Sequence, residues 1–347
     1  PHAPAREPTG DGTAARTCRY SPAVEQRRLG RSGLRVSRLG LGTMTWGRDT
    51  DQHEARDQLE AFAEAGGTLV DTAASYGDGQ AERVLGDLLE KVVPRDDLVI
   101  ATKAGVSRAT GRRVVDVSRK GLLDQLDASL DRLDSEYVDL WQIHTWSDEV
   151  PIEETLGALD YAVSTGRTRY GGVSNFGGWQ TGYAVAFQNI AAGRAPVVST
   201  QVEYSLVQRG VEREVLPAAA ALGLGVLAWS PLGRGVLTGK YRSGTPADSR
   251  AASPHLAGFV EAYLDGTSRR VVEAVSTAAE GLRVQPLEVA LAWVRDAPGV
   301  TAAIVGARTA AQLRGVLAAE DLSLPDEIRV ALDEVSTPPL GYPERND

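Results

Sequence analysis

Short, nearly continuous apolar runs recur along this chain at residues 39–42, 68–70, 98–102, 137–143, 168–173, 197–201, 225–228 and 302–305. Runs of this kind read as strands buried on both faces, the habit of a parallel sheet. Between them apolar residues return at helical spacing, as in Leu122, Leu126, Leu130 and Leu133, or Leu156, Leu159 and Val163. Ser118 stands where the first of these helices needs an N-cap. Strand followed by helix, repeated eight times, predicts an α/β protein, a (β/α)8 TIM barrel.

An open doubly wound sheet is the alternative, and it would carry a glycine fingerprint that follows a strand and opens a helix. Gly223-Leu224-Gly225-Val226-Leu227-Ala228 has the spacing but runs into a strand. Gly40-Leu41-Gly42-Thr43-Met44-Thr45 follows a strand, lacks the third small residue and meets no helix for several positions. Neither supports a dinucleotide fold, and the barrel is preferred.

Ahead of the first barrel strand, residues 27–37 read as two extended pieces around the Ser32-Gly33 turn, a β-hairpin. Residues 1–25, rich in Pro, Ala, Gly, Arg and Thr without apolar periodicity, are expected to be a flexible leader. Residues 26–337 form one barrel domain and 338–347 a tail. The longest break in the alternation, 242–266, is punctuated by Gly, Pro, Ser and Asp and is expected to be a lid or an unstructured loop.

At 42% hydrophobic and 24% charged, the 347 residues can bury a large core. A formal charge of −9 offers no general attraction to polyanions, which argues against nucleic acid as a partner. The single cysteine, Cys18, permits no intrachain disulfide and no cysteine metal cluster. His2, His53, His144 and His255 show no paired ligand spacing, so no metal is expected and a metal-assisted hydrolase has little behind it. No apolar run approaches the ~18 residues of a membrane span, and a cytoplasmic protein is expected. The oligomeric state is not legible, and a homo-oligomer stays open.

The residues that carry chemistry stand at strand ends. Asp71 and Tyr76 follow the second run, Lys103 closes the third and His144 the fourth. Singly each has an ordinary reading: a turn cap, a rim aromatic, a solvated charge, a satisfied polar group. In a barrel all four would converge on the rim at the C-terminal ends of the strands, where catalytic groups collect. A lysine paired with the carboxylate and set beside the phenol would lower the tyrosine pKa, letting it exchange a proton with a carbonyl oxygen while a neutral His144 polarises that carbonyl.

These residues resemble the aldo-keto reductase superfamily, in the branch of the potassium-channel β subunits and the bacterial NADPH-dependent enzymes. The likeness lies in Asp71-Thr72-Ala73-Ala74-Ser75-Tyr76-Gly77 with Gly86 after Glu82, Ala101-Thr102-Lys103, residues 137–144 ending in Gln142-Ile143-His144, Gly171-Gly172-Val173-Ser174-Asn175-Phe176, and Trp229-Ser230-Pro231-Leu232 followed by Gly235. The resemblance implies a hairpin plugging the barrel base, a catalytic tetrad of Asp71, Tyr76, Lys103 and His144, and NADP(H) bound without a Rossmann fold. Ser174, Asn175 and Gln201 would hydrogen-bond the nicotinamide carboxamide with Trp229 beside its ring, and Thr43, Met44 and Asp71 would also contact the cofactor. Ser230, Pro231, Leu232, Gly235, Lys240 and Arg250 would cradle the pyrophosphate, and Gly306, Arg308, Thr309 and Gln312 would meet the adenosine 2′-phosphate. Where many relatives have Glu and Asn three and four residues after the residue matching Gln312, this chain has Gly315 and Val316, which implies fewer adenine contacts and either a weaker hold on NADPH or a smaller preference for NADPH over NADH. Trp46, Trp146 and Phe176 are expected to line the substrate mouth. The expected function is NADPH-dependent reduction of a small-molecule aldehyde or ketone; the alternative is a cofactor-binding, redox-sensing subunit with little turnover.

Overall fold

The computed structural model describes residues 24–108, 111–246, 249–253, 257–339 and 341. Two antiparallel strands, β1 (Gln26–Arg28) and β2 (Arg35–Ser37), pair as the N-terminal hairpin. Six parallel strands and their helices follow: β3 (Leu39–Gly42), α1 (Gln52–Glu64), β4 (Leu69–Asp71), α2 (Gln80–Leu88), β5 (Val99–Ala104), a short hairpin of β6 (Val106–Ser107) and β7 (Val114–Val115), α3 (Arg119–Leu133), β8 (Val138–Ile143), α4 (Ile152–Ser164), β9 (Thr168–Ser174), α5 (Gly178–Ile190) and β10 (Val197–Glu203). The circuit is completed by α6 (Val215–Leu222), β11 (Gly225–Trp229), α7 (Ala257–Glu261), α8 (Gly266–Leu282), α9 (Pro286–Arg295) and β12 (Val300–Val305), with α10 (Ala310–Leu317) and α11 (Asp326–Ser336) after it. Strands β3, β4, β5, β8, β9, β10, β11 and β12 pair in chain order and close on themselves through β12 and β3. The fold is therefore the expected (β/α)8 barrel.

The periodicity reads correctly on the helices. Ser118 Oγ accepts from Gly121 N at 3.1 Å to cap α3, whose Leu122, Leu126 and Leu133 are buried. The loop after β5 holds the hairpin β6–β7, and the span between β11 and β12 holds α7, α8 and α9. Among the described residues, the expected loop at 242–266 is thus partly helical. Most of the expected leader lies outside the described residues, as do 340 and 342–347 of the expected tail. Its last two members already belong to the fold, because Val24 is buried with its N–H on Ala65 O at 2.9 Å and Glu25 pairs with Arg38 at 2.8 Å.

The hairpin closes the bottom of the barrel. Leu29 and Val36 are buried with Leu69, Ala101, Leu140, Val198, Leu227, Ala302 and Ile304, the residues that fill the barrel interior. Gly30 permits the approach: a Cβ there would lie 2.5 Å from Gly225 N and 2.7 Å from Val198 O, and its φ is +56°. The opposite end, where the strands finish, stays open to the loops.

One polar network crosses the shell. The fully buried Glu82 of α2 accepts from Thr102 Oγ1 at 2.6 Å and from Arg132 Nε of α3 at 2.7 Å. Removing the carboxylate leaves Arg132 half-enclosed without its anion, so Glu82→Ala is expected to lower unfolding stability by about 3 kcal/mol. Urea denaturation measures this, and a loss under about 1 kcal/mol, the worth of an exposed pair, would show the bridge to be only a surface one.

Candidate active site

Asp71 is the last residue of β4 and Lys103 the penultimate residue of β5, so both side chains leave the barrel at its open end. Lys103 Nζ donates to Asp71 Oδ2 at 2.7 Å, to Thr72 O at 2.9 Å and to the Tyr76 hydroxyl at 3.2 Å. From across the barrel, Gln201 Nε2 donates to Asp71 Oδ1 at 2.7 Å. Asp71 and Lys103 are only 2% and 1% exposed. Two charges so far from water are tolerable because each faces its opposite and its remaining valences are hydrogen-bonded.

Tyr76 is aimed by the turn after β4. Its N–H reaches Ala73 O at 3.0 Å and Ala74 N reaches Lys103 O at 3.0 Å, while Gly77, Asp78 and Gly79 take φ of 56°, 53° and 87° to swing the chain into α2. His144 immediately follows β8 and its N–H donates to Ala104 O at 2.8 Å. The imidazole meets the Tyr76 ring edge-on at 6.2 Å, and its buried Nδ1 has no partner among the described residues. All four tetrad candidates are thus brought together.

Their electrostatics correct one expectation. Burial raises the Tyr76 phenol; Lys103 pulls it down and Asp71 pushes it up again, leaving it above its ordinary value rather than below. For Lys103 burial acts downward, but the charge and hydrogen bonds of Asp71 and Tyr76 outweigh it and hold the ammonium above its ordinary range. His144 is lowered to about 3, first by burial and then by the nearby Lys103, Arg113 and Arg108 charges, so the ring is neutral.

Beside the tetrad lies a cavity of about 590 Å³ lined by Tyr76, His144, Met44, Ser174, Asn175, Gln201, Trp229, Ser230, Pro231, Leu232, Gly235 and Gly306. Asn175, left-handed at φ 57°, donates through Nδ2 to His144 O at 3.0 Å and accepts Trp229 Nε1 at 3.1 Å. Ser174 Oγ donates to Gln201 O at 3.0 Å. After β11 the backbone is left-handed at Ser230, Gly233, Arg234 and Gly235, and Gly233 N and Gly235 N turn back onto Ser230 O and Leu232 O at 2.9 Å each. A Cβ on Gly235 would come within 3.3 Å of Lys240 Nζ, which places that ammonium against the turn. A left-handed backbone concavity with a lysine at its lip suits an anion such as a pyrophosphate. Amide and hydroxyl groups around Asn175 and Ser174 suit a carboxamide. The residues present fit a nicotinamide dinucleotide.

Other candidates fall differently. Thr43 is buried and donates to Asp71 O at 3.2 Å, steadying the end of β4 rather than lining the cavity. Arg308, Thr309 and Gln312 gather at the start of α10, where Thr309 Oγ1 accepts from Gln312 N at 3.2 Å and Gln312 Oε1 accepts from Arg308 N at 3.0 Å. Glu54 Oε2 accepts Ala310 N at 2.7 Å, adding a carboxylate to that helix start, and Val316 is buried in the core. The Arg250 side chain lies outside the description.

The expected substrate mouth is corrected. Trp46 is fully buried with Nε1 on Gln58 Oε1 at 3.1 Å, because the loop after β3 folds inward over α1. Trp146 packs on Phe176 and Trp179 at 5.3 and 5.2 Å, and neither Trp146 nor Phe176 lines the cavity. The lining instead includes Arg48, Arg108, Arg113, Arg234 and Phe259, which sequence reasoning missed. Of these only Arg234, inside the Pro-Leu-Gly-Arg-Gly turn, had a usable signal. It pairs with both oxygens of Glu203 at 2.8 and 2.6 Å and lies 3.8 Å from the Phe259 ring, fixing the stack of Phe259 on Trp229.

Comparison with known proteins places this geometry. Residues 38–337 match the model of the Aldo/keto reductase family. The chain is 36% identical to the uncharacterized oxidoreductase YrpG of Bacillus subtilis, covering 92% of this chain and 98% of that one. It is 34% identical to a probable voltage-gated potassium channel subunit beta of Oryza sativa, covering 93% and 99%, and 33% identical to a protein of the same description in Arabidopsis thaliana, covering 93% and 98%.

Proposed function

We propose, from the premise that the chain belongs to the aldo/keto reductase family of oxidoreductases, that it is an NADP-dependent enzyme reducing an aldehyde or ketone to the alcohol. The observation that carries this reading is Lys103 Nζ standing between Asp71 Oδ2 at 2.7 Å and the Tyr76 hydroxyl at 3.2 Å, with His144 at the edge of the same phenol. A pure binding surface has no use for a buried ammonium against a phenol.

NADPH, when bound, supplies the hydride to the carbonyl carbon. The carbonyl π pair moves to oxygen, which takes the hydroxyl proton of Tyr76. Lys103 stabilises the phenolate left behind, and Asp71, braced by Gln201, keeps Lys103 in place. His144, neutral, offers a ring N–H to the same oxygen and fixes its position. Ser174, Asn175 and Trp229 would hold the nicotinamide end, the turn from Ser230 to Gly235 with Lys240 the pyrophosphate, and Arg308 and Thr309 the 2′-phosphate. The test is a panel of aldehydes and ketones added to protein and NADPH, with reduced nicotinamide followed by absorbance beside NADH; no consumption with any carbonyl would remove the reading.

A second reading, a cofactor-binding regulatory subunit, draws on the relatives described as channel β subunits. The complete tetrad favours turnover over it.

The proton donor sets the pH profile. Because Tyr76 is held above its ordinary value and His144 is neutral above about 3, neither titrates near neutrality. For reduction, kcat is expected to stay flat from about pH 6 to 9 and to fall only beyond, as the phenol deprotonates. A fall centred near neutral pH would contradict this assignment.

A further inference from the structure

The charge around the cavity is lopsided in a way the hydride chemistry does not use. Among its described lining residues are four arginines, Arg48, Arg108, Arg113 and Arg234, and no aspartate or glutamate, in a chain whose formal charge is −9. Two of the four are neutralised: Arg48 by Asp49 at 2.7 Å and Arg234 by Glu203 at 2.6 Å. Arg108 and Arg113 are exposed and make no ion pair among the described residues. Both come from the β6–β7 hairpin, which rises from the end of β5 next to Lys103; Val106 of the same hairpin also lines the cavity. They stand on the His144 side, and their charges are felt at that imidazole. The turn suited to a pyrophosphate, with Lys240, is built from the other side, after β11. The hairpin pair is therefore not needed for a dinucleotide's phosphates.

We infer that Arg108 and Arg113 form an anion-recognition edge on the substrate side of the cavity, and that the preferred substrates are aldehydes or ketones bearing a carboxylate or another anionic group away from the carbonyl. The inference rests on the reductase reading of the same site. Guanidinium groups suit this task because their planar donors match a carboxylate's two oxygens. On a two-strand hairpin beside the mouth they can meet the distal anion while the carbonyl points down to Tyr76 and His144. Their field also concentrates anionic substrates at the opening, in a chain whose formal charge of −9 would otherwise repel them.

The test uses matched pairs, succinic semialdehyde against butanal and 4-carboxybenzaldehyde against 4-methylbenzaldehyde, with the full chain and NADPH. Wild-type protein is expected to favour the anionic member in kcat/KM by about tenfold or more, mainly through KM, as charge-assisted contacts are worth. In Arg108→Ser/Arg113→Ser that ratio is expected to collapse toward unity. Arg112→Ser, a charge removed from the same hairpin outside the cavity lining, is expected to keep the wild-type ratio. Raising salt should shrink the preference in the wild type and in Arg112→Ser, and change little in the double substitution. Turnover of both members with no preference, or a preference that survives the double substitution, overturns the inference and leaves the reductase reading standing. Oxidation of NADPH by neither member overturns the reductase reading itself.

Discussion

Replacing Tyr76 by phenylalanine is expected to lower kcat for carbonyl reduction by about 10²–10⁴-fold while the Kd for NADPH changes by less than about threefold. The hydroxyl oxygen is the atom 3.2 Å from Lys103 Nζ, and it is the only atom the substitution removes. The ring remains to meet His144 edge-on at 6.2 Å and to lie under Lys103 Nζ at 4.9 Å, so the packing of the site survives. The residues assigned to the nicotinamide and pyrophosphate come from the ends of β9, β10 and β11 and the segments that follow β9 and β11, and do not depend on the phenol. Steady-state turnover with a reactive aldehyde and fluorescence titration with NADPH measure the two quantities separately. Equal losses in both would mean that Tyr76 shapes the cavity rather than delivering a proton.

Lys103→Met is expected to have the second large effect, and it acts on stability as well as turnover. Asp71, 2% exposed, would keep only Gln201 Nε2 among its present side-chain donors. An uncompensated buried carboxylate costs about 3–5 kcal/mol at neutral pH. Asp71→Asn in the same background removes the charge and is expected to recover most of that stability, yet kcat stays low because nothing stabilises the tyrosinate. Chemical denaturation at neutral pH reads the first effect and turnover the second. Recovery of activity along with stability would show that Lys103 serves the fold alone.

The barrel was legible because parallel strands buried on both faces leave uninterrupted apolar runs, and each of the expected runs corresponds to a strand. The end positions move by a residue or two, as at β4, which finishes on Asp71, because hydrogen bonds and not hydropathy decide where pairing stops. The short hairpin β6–β7 left no trace: strands of two residues are too short for a period to register. Convergence of Asp71, Tyr76, Lys103 and His144 could be read because strand ends share one rim. The bracing of Asp71 by Gln201 could not, since it joins strands β4 and β10 across the barrel. Hydrophobicity alone misplaced Trp46, whose indole is turned inward onto Gln58, and Trp146 and Phe176, which pack with Trp179 beside the opening rather than in it. The direction of the Tyr76 shift was misread for a related reason. A neighbouring lysine is visible in the chain, but the depth of burial that outweighs it belongs to the folded molecule.

The measurement closest to the central claim is a single turnover of the protein loaded with NADPH, mixed with excess reactive aldehyde. Complete loss of the reduced-nicotinamide signal, with one equivalent of alcohol formed and the rate collapsed in Tyr76→Phe, is the predicted result. NADPH that stays bound and reduced in the wild type, whatever carbonyl is offered, would contradict it.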